Sequence, residues 1–156
     1  MLTIGDKAPD FRLNDQKGEE RTLAEAKGKW VLIYFYPKDD TPGCTKEACQ
    51  LRDNFPAFRK LGVEVFGVSV DSVKSHEKFV TKYELPFVLL ADDQKEMVQA
   101  YGVWGERSFI GHKYMGTSRT SFLVDPQGKI AKIYESVKPA KHAEEVLNDL
   151  KTLQAA

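Results

Sequence analysis

The chain has 156 residues, 42% of them hydrophobic and 29% charged, which suits a single globular domain (1–156) and excludes the disordered and membrane-embedded classes. Its 23 basic residues are balanced by 23 acidic ones, an argument against nucleic acid or an anionic membrane as the main partner. The first residues, MLTIGDKAPDFRLND, lack the basic and apolar regions of a secretory signal. The longest apolar run, WVLIYFY at 30–36, is far short of the roughly 18 residues of a membrane span. A cytoplasmic location is therefore expected. Thiols are kept reduced there, and two cysteines are too few for a disulfide scaffold, so any disulfide between them would be transient.

The first element expected is a small hairpin at 11–23 around Gly18. Residues 30–36 are a continuous β-branched and aromatic run, the mark of a strand buried on both faces. The segment after Pro42 has Ala48, Leu51, Phe55 and Phe58 at helical spacing with Gly62 beyond its end, and Pro56 should kink or split that helix. VEVFGVSV (63–70) reads as a second strand. Ser72 or Ser75 caps a helix carrying Phe79, Val80 and Tyr83, which ends before Pro86. FVLLAD is a third strand, and 95–101 a short helix. Residues 102–118, GVWGERSFIGHKYMGTS, show no clean period and are too long for an ordinary loop. The stretch predicts either a pocket wall or docking surface, with Trp104 and Phe109 as the residues of interest, or a satellite core folded over the sheet. Two strands then flank the turn DPQG (125–128), and 141–153 form a last helix. Strands alternating with helices, followed by a hairpin and a helix, define an α/β sandwich with a mixed central sheet.

Both cysteines, Cys44 and Cys49, fall in one ten-residue stretch, TPGCTKEACQ. The loop ahead of it leaves a buried strand and enters a helix, where α/β proteins place their sites. With Thr41 as N-cap and Pro42 at N1, Cys44 occupies N3. Its sulfur then lies near unpaired amides and the positive end of the helix dipole, both of which favour the nucleophilic thiolate. Asp39, Asp40 and Glu47 offset Lys38 and Lys46, so a cation must come from elsewhere in the fold. Arg107, Lys113 and Arg119 are the candidates. A buried, inert Cys44 is the competing view.

Five residues on an ideal helix rotate the side chain by about 140° and separate the Cα atoms by roughly 8.7 Å, beyond the ~7 Å that a disulfide tolerates. Cys44 and Cys49 can therefore bond only if the first turns unwind. The spacing suits chemistry at Cys44 in the folded helix, then capture by Cys49 after local unfolding. It does not suit the C-x-x-C of thioredoxin-type oxidoreductases. No metal site is expected, because His76, His112 and His142 are scattered and the cysteines lack zinc spacing. No motif sets a histidine beside Cys44 for a Cys–His hydrolase.

The segment YFYPKDDTPGCTKEACQLRD resembles the peroxiredoxins, and within them the bacterioferritin comigratory protein or peroxiredoxin Q class. The pattern P-x-x-x-T-x-x-C is met by Pro37, Thr41 and Cys44. The resemblance continues through GDKAPDFRL, GVWGE and RTSFLVDPQGKI. It implies a thioredoxin-like three-layer sandwich and a thiol peroxidase that needs no metal, haem or flavin. Cys44 would be the peroxidatic cysteine, oxidised by hydrogen peroxide or a small organic hydroperoxide to a sulfenic acid. Thr41 would hold the peroxide oxygens, and Arg119 would stabilise the thiolate and the leaving oxygen. Pro37 would shield the sulfur, Glu47 would orient Arg119, and Cys49 would resolve the sulfenic acid as a disulfide reduced by thioredoxin. The C-terminal stretch LKTLQAA carries no thiol, so the obligate dimer of typical two-cysteine peroxiredoxins is not implied, and a monomer or weak dimer is expected. A redox sensor or holdase, oxidised at Cys44 without sustained turnover, is the alternative from another class.

Overall fold

A computed structural model describes residues 2–155. In chain order the elements are β1 (Arg12–Asn14), β2 (Glu20–Thr22), a 3-10 turn (Leu23–Ala26), β3 (Trp30–Phe35), α1 (Pro42–Lys60), β4 (Val63–Ser69), α2 (Val73–Tyr83), β5 (Val88–Ala91), α3 (Glu96–Ala100), β6 (Trp104–Phe109), β7 (His112–Thr117), β8 (Ser121–Val124), β9 (Ile130–Tyr134) and α4 (His142–Ala155). Seven strands form one sheet in the order β2-β1-β5-β4-β3-β8-β9. β3 pairs parallel with β4 and antiparallel with β8, and β4 pairs parallel with β5. This is the expected mixed sheet with flanking helices, a thioredoxin-like sandwich.

The side chains of β3 alternate between two cores. Leu32 and Tyr34, followed by Tyr36, face a cluster built from α1, α2 and α4, with Leu51, Phe58, Phe79, Val146 and Leu150. Val31, Ile33 and Phe35 face the other, with Met97 and Val98 of α3, Leu23 and Phe122. Burial on both faces is why this strand reads as an unbroken apolar run. Each Val, Leu, Ile or Phe so buried contributes about 1.5–3 kcal/mol, enough to hold the end of β3 still beneath α1.

Ser72 caps α2, its hydroxyl accepting from the Ser75 amide at 3.1 Å, and Glu84 closes that helix in the left-handed region. The expected split of α1 does not occur: the helix runs through Pro56 without interruption. A proline there removes one helical N–H, leaving the Arg52 carbonyl without its i+4 donor. The apolar face of Leu51, Phe55 and Phe58 packed on the sheet keeps the turn together.

Residues 102–118 fold as a hairpin and not as a satellite core over the sheet. β6 and β7 pair antiparallel in register Trp104↔Thr117 to Phe109↔His112, a two-stranded sheet of their own. The turn residues Ile110 and Gly111 have φ of 50° and 77°, the doubly positive pattern of a two-residue hairpin turn. Only the base is anchored, where Trp104 packs against the core on the α3 face. Phe109, Ile110, Tyr114 and Met115 are all more than half exposed. Because both faces of the outer hairpin meet solvent, its sequence lacks the inside–outside alternation that marks a strand.

Candidate active site

The buried strand β3 delivers the chain to a short loop that turns into α1. Thr41 takes the N-cap position with extended backbone (φ −100°, ψ 156°), and Pro42 starts the helix. The expected capping bond is absent. The Thr41 hydroxyl donates back to the Lys38 carbonyl at 2.8 Å, and no side chain caps the helix. The first-turn amides are thus left to the positive end of a 19-residue helix, where negative charge is favoured. Cys44, at N3, is 2% exposed, while Cys49 is half-buried, and both thiols are free.

The distant cation is Arg119. Its Nη2 lies 3.4 Å from Cys44 Sγ and its Nη1 donates to Glu47 Oε1 at 3.0 Å. Cys44 and Glu47 are three residues apart and share a helix face, so one guanidinium fork spans both. A Cβ on Gly43 would stand 2.9 Å from Arg119 Nη2; the bare backbone lets the guanidinium lie against the first turn. The Arg119 carbonyl accepts from the Val137 amide at 3.1 Å, which holds the arginine's backbone from the far side. Arg107 instead donates to the Val103 carbonyl, and Lys113 faces Glu106 at 3.7 Å, both within the β6–β7 region.

The electrostatics reinforce this arrangement. Burial opposes the charge on Arg119, but Cys44 and Glu47 beside it outweigh that effect and raise its pKa above the ordinary value. Burial pushes the Glu47 carboxyl up to about 7 against the pull of Arg119, and among the described residues its Oε2 has no partner. The Tyr34 hydroxyl lies under the same turns, also buried and unpartnered. Burial and then Glu47 and Cys44 keep its pKa well above the usual tyrosine value.

The local negative charges counted against Cys44 are taken up elsewhere. Asp39 faces His76 Nδ1 at 2.6 Å. Asp40 accepts from Lys82 Nζ and the Tyr83 hydroxyl, each at 2.8 Å. Pro37 is exposed in the same loop. Trp104 and Phe109 do not join the group around Cys44, since Trp104 belongs to the core on the opposite sheet face and Phe109 is 67% exposed at the hairpin tip. Sequence reasoning missed the polar cluster of Tyr36, Asp39, Asp71, Ser75 and His76. The available signal was a pair of aspartates directly after a buried strand.

Asp39, Asp71 and His76 each offer a ligand atom within 4.8 Å of the others, but these atoms are already engaged in hydrogen bonds. The second buried histidine, His142, faces the Ser121 hydroxyl at 2.8 Å and Glu145 at 3.3 Å. Burial lowers its pKa. Both histidines are buried and hydrogen-bonded through both ring nitrogens.

A thioredoxin-like fold with an arginine-paired cysteine at a helix N-terminus defines a class of thiol-reactive proteins, and comparison with known proteins narrows it. Residues 4–133 match the AhpC/TSA family. The chain is 44% identical over 152 residues to the peroxiredoxin Bcp of Bacillus subtilis, covering 97% of each chain, and 47% identical over 150 residues to that of Escherichia coli, covering 96% of each. Among solved structures it is similar to the PrxQ of Xylella fastidiosa (TM-score 0.93, 34% identity, 99% of this chain and 98% of that one). It is also similar to the bacterioferritin comigratory protein of Xanthomonas campestris, a structure described in terms of alkyl peroxide reduction (TM-score 0.87, 38% identity, 92% and 91%). The chain belongs to the AhpC/TSA family of peroxiredoxins, in its Bcp or peroxiredoxin Q class. Among the described residues no helix is long and apolar enough to cross a membrane.

Proposed function

We propose that this peroxiredoxin reduces hydrogen peroxide and small organic hydroperoxides by a two-cysteine cycle within one chain. The observation that carries the reading is the Arg119 guanidinium 3.4 Å from Cys44 Sγ at an uncapped helix N-terminus. The Cys44 thiolate attacks one peroxide oxygen, the O–O bond breaks, and the leaving oxygen takes a proton to depart as water or alcohol. Thr41 and the first-turn amides hold the peroxide in line, and Arg119 stabilises charge on both sulfur and leaving oxygen. The first turns of α1 then unwind. Cys49 attacks the sulfenic sulfur, releasing water and leaving a disulfide. A dithiol such as thioredoxin reduces it and is itself oxidised to a disulfide. The protein works in the cytoplasm as a monomer or weak dimer, without a cofactor.

The test is one equivalent of hydrogen peroxide added to the reduced chain, with peroxide loss timed and the intact mass taken at the end. Consumption far faster than by a free thiol, with loss of two hydrogens and a Cys44–Cys49 link, is expected. Slow consumption or no link overturns the cycle. Turnover sustained by thioredoxin separates it from the redox sensor or holdase, which reacts once and recycles slowly.

A further inference from the structure

The loop between β3 and α1 changes character at one peptide bond. Asp39 is buried, and its Oδ1 accepts from the Tyr36 hydroxyl at 2.6 Å. Its Oδ2 accepts from Ser75 Oγ at 2.8 Å and faces His76 Nδ1 at 2.6 Å, while its amide donates to Asp71 Oδ2 at 2.8 Å. His76 Nε2 faces the Leu90 carbonyl at 2.8 Å. A carbonyl only accepts, so Nε2 carries a hydrogen, and a further proton lies in the Nδ1–Oδ2 contact. Asp39 is in this way joined to the end of β4, to α2 and to β5. From the next residue onward the bonding loosens. Asp40 is exposed, stands at φ 55°, and among the described residues is held by exposed bonds to Lys82 and Tyr83. Pro42 is exposed, and the next fully buried residue is Cys44 itself.

The reach of the chain fits this division. Five residues from Asp39 to Cys44 span up to about 17 Å when extended, about twice the ~8.7 Å that separates the two thiol-bearing Cα atoms in the intact helix. The tether from a fixed Asp39 is thus longer than the gap that Cys44 has to close.

Building on the peroxidase reading above, we propose that Asp39 and His76 are positioning residues that form a stationary anchor for the peroxidatic loop, with the hinge at Asp40. The anchor keeps unwinding confined to the segment after Asp39 and returns Cys44 to Arg119 when the helix re-forms. It sets the balance between the folded state, which reacts with peroxide and can be over-oxidised, and the unwound state, which forms the disulfide.

The experiment uses the full chain with His76→Gln, which withdraws the donor from Asp39, His76→Asn, which retains one near the Nδ1 position, and Ser75→Ala as a milder change. Peroxide loss is timed in a single turnover, and the sulfinic fraction is measured by intact mass after excess hydrogen peroxide. His76→Gln is expected to slow peroxide loss about tenfold, the scale of one buried charge-assisted hydrogen bond, and to lower the sulfinic fraction several-fold. His76→Asn should restore much of both. Ser75→Ala should move both the same way by about threefold, and it decides alone if the histidine variants do not fold. Unchanged values in a folded variant, or slower peroxide loss with an unchanged or larger sulfinic fraction, overturn the anchor. Slow peroxide loss by the wild-type chain instead sinks the peroxidase reading on which the anchor rests.

Discussion

Cys44 and Cys49 lie five residues apart on α1, yet their surroundings have little in common. Cys44 is buried against an arginine whose other arm holds a buried carboxylate. Cys49 is half-buried and free, two turns into the helix. The difference in surroundings matches the different steps proposed for the two thiols. A reactive sulfur needs fixed charge around it before the peroxide arrives. In the proposed cycle the capturing sulfur needs only access to the place where the first turns come apart. The β6–β7 hairpin offers a second contrast, with a packed base and a solvated tip.

The largest effect should come from exchanging the two thiols for hydroxyls. Cys44→Ser is expected to lower the peroxide reaction on the order of a thousandfold or more, because the nucleophile is gone. Cys49→Ser should leave the first turnover within about twofold but give no internal link and progressive sulfinic acid by mass. Equal losses in stopped-flow traces of the two variants would break the division of labour. Next in size, Arg119→Ala should cost about a hundredfold in the second-order rate with peroxide, the scale of losing one preorganised donor to developing charge.

Glu47 sharpens the comparison through pH. Its carboxyl is raised from 4.5 to about 7 by burial, so the folded chain keeps a proton that the unfolded chain releases. The resulting stability is fully present below about pH 4.5 and is lost as pH rises through 7, up to about 3 kcal/mol in all. Glu47→Gln should remove this decline, so that urea midpoints at pH 5 and pH 8 converge. A persisting decline would place its origin elsewhere.

The smallest effects lie in the hairpin. Trp104→Ala should cost about 2–3 kcal/mol of stability, as for a partly buried aromatic, with the Michaelis constant for peroxide unchanged. A raised constant would return Trp104 to the pocket. Phe109→Ser at the tip should change the stability read from urea unfolding by no more than about 0.5 kcal/mol.

The sheet strands and the long helices were legible because burial imposes a period. The run at 30–36 and the spacing of Leu51, Phe55 and Phe58 each answer to one packing surface. Pro56 does not split α1, because the packing of the helix on the sheet outweighs the local propensity of one residue. The hairpin was illegible because a strand solvated on both faces carries no period. Thr41 was placed correctly at the N-cap, but its hydroxyl donates to the Lys38 carbonyl instead of accepting from a first-turn amide, a choice that spacing does not resolve.

By itself the sequence determined the local facts about this protein: a buried strand feeding a helix, a cysteine at N3, and a second thiol too far along that helix to bond while it is intact. Periodicity and helix geometry are properties of neighbouring residues, so they can be read along the chain. The resemblance pointed to Arg119, but only the tertiary structure showed its guanidinium against the sulfur and where the loop's aspartates spend their charge. Arg119 is 75 residues from Cys44, and His76 is 37 from Asp39. Contacts over such separations depend on how the strands order in the sheet, and no local pattern encodes that order.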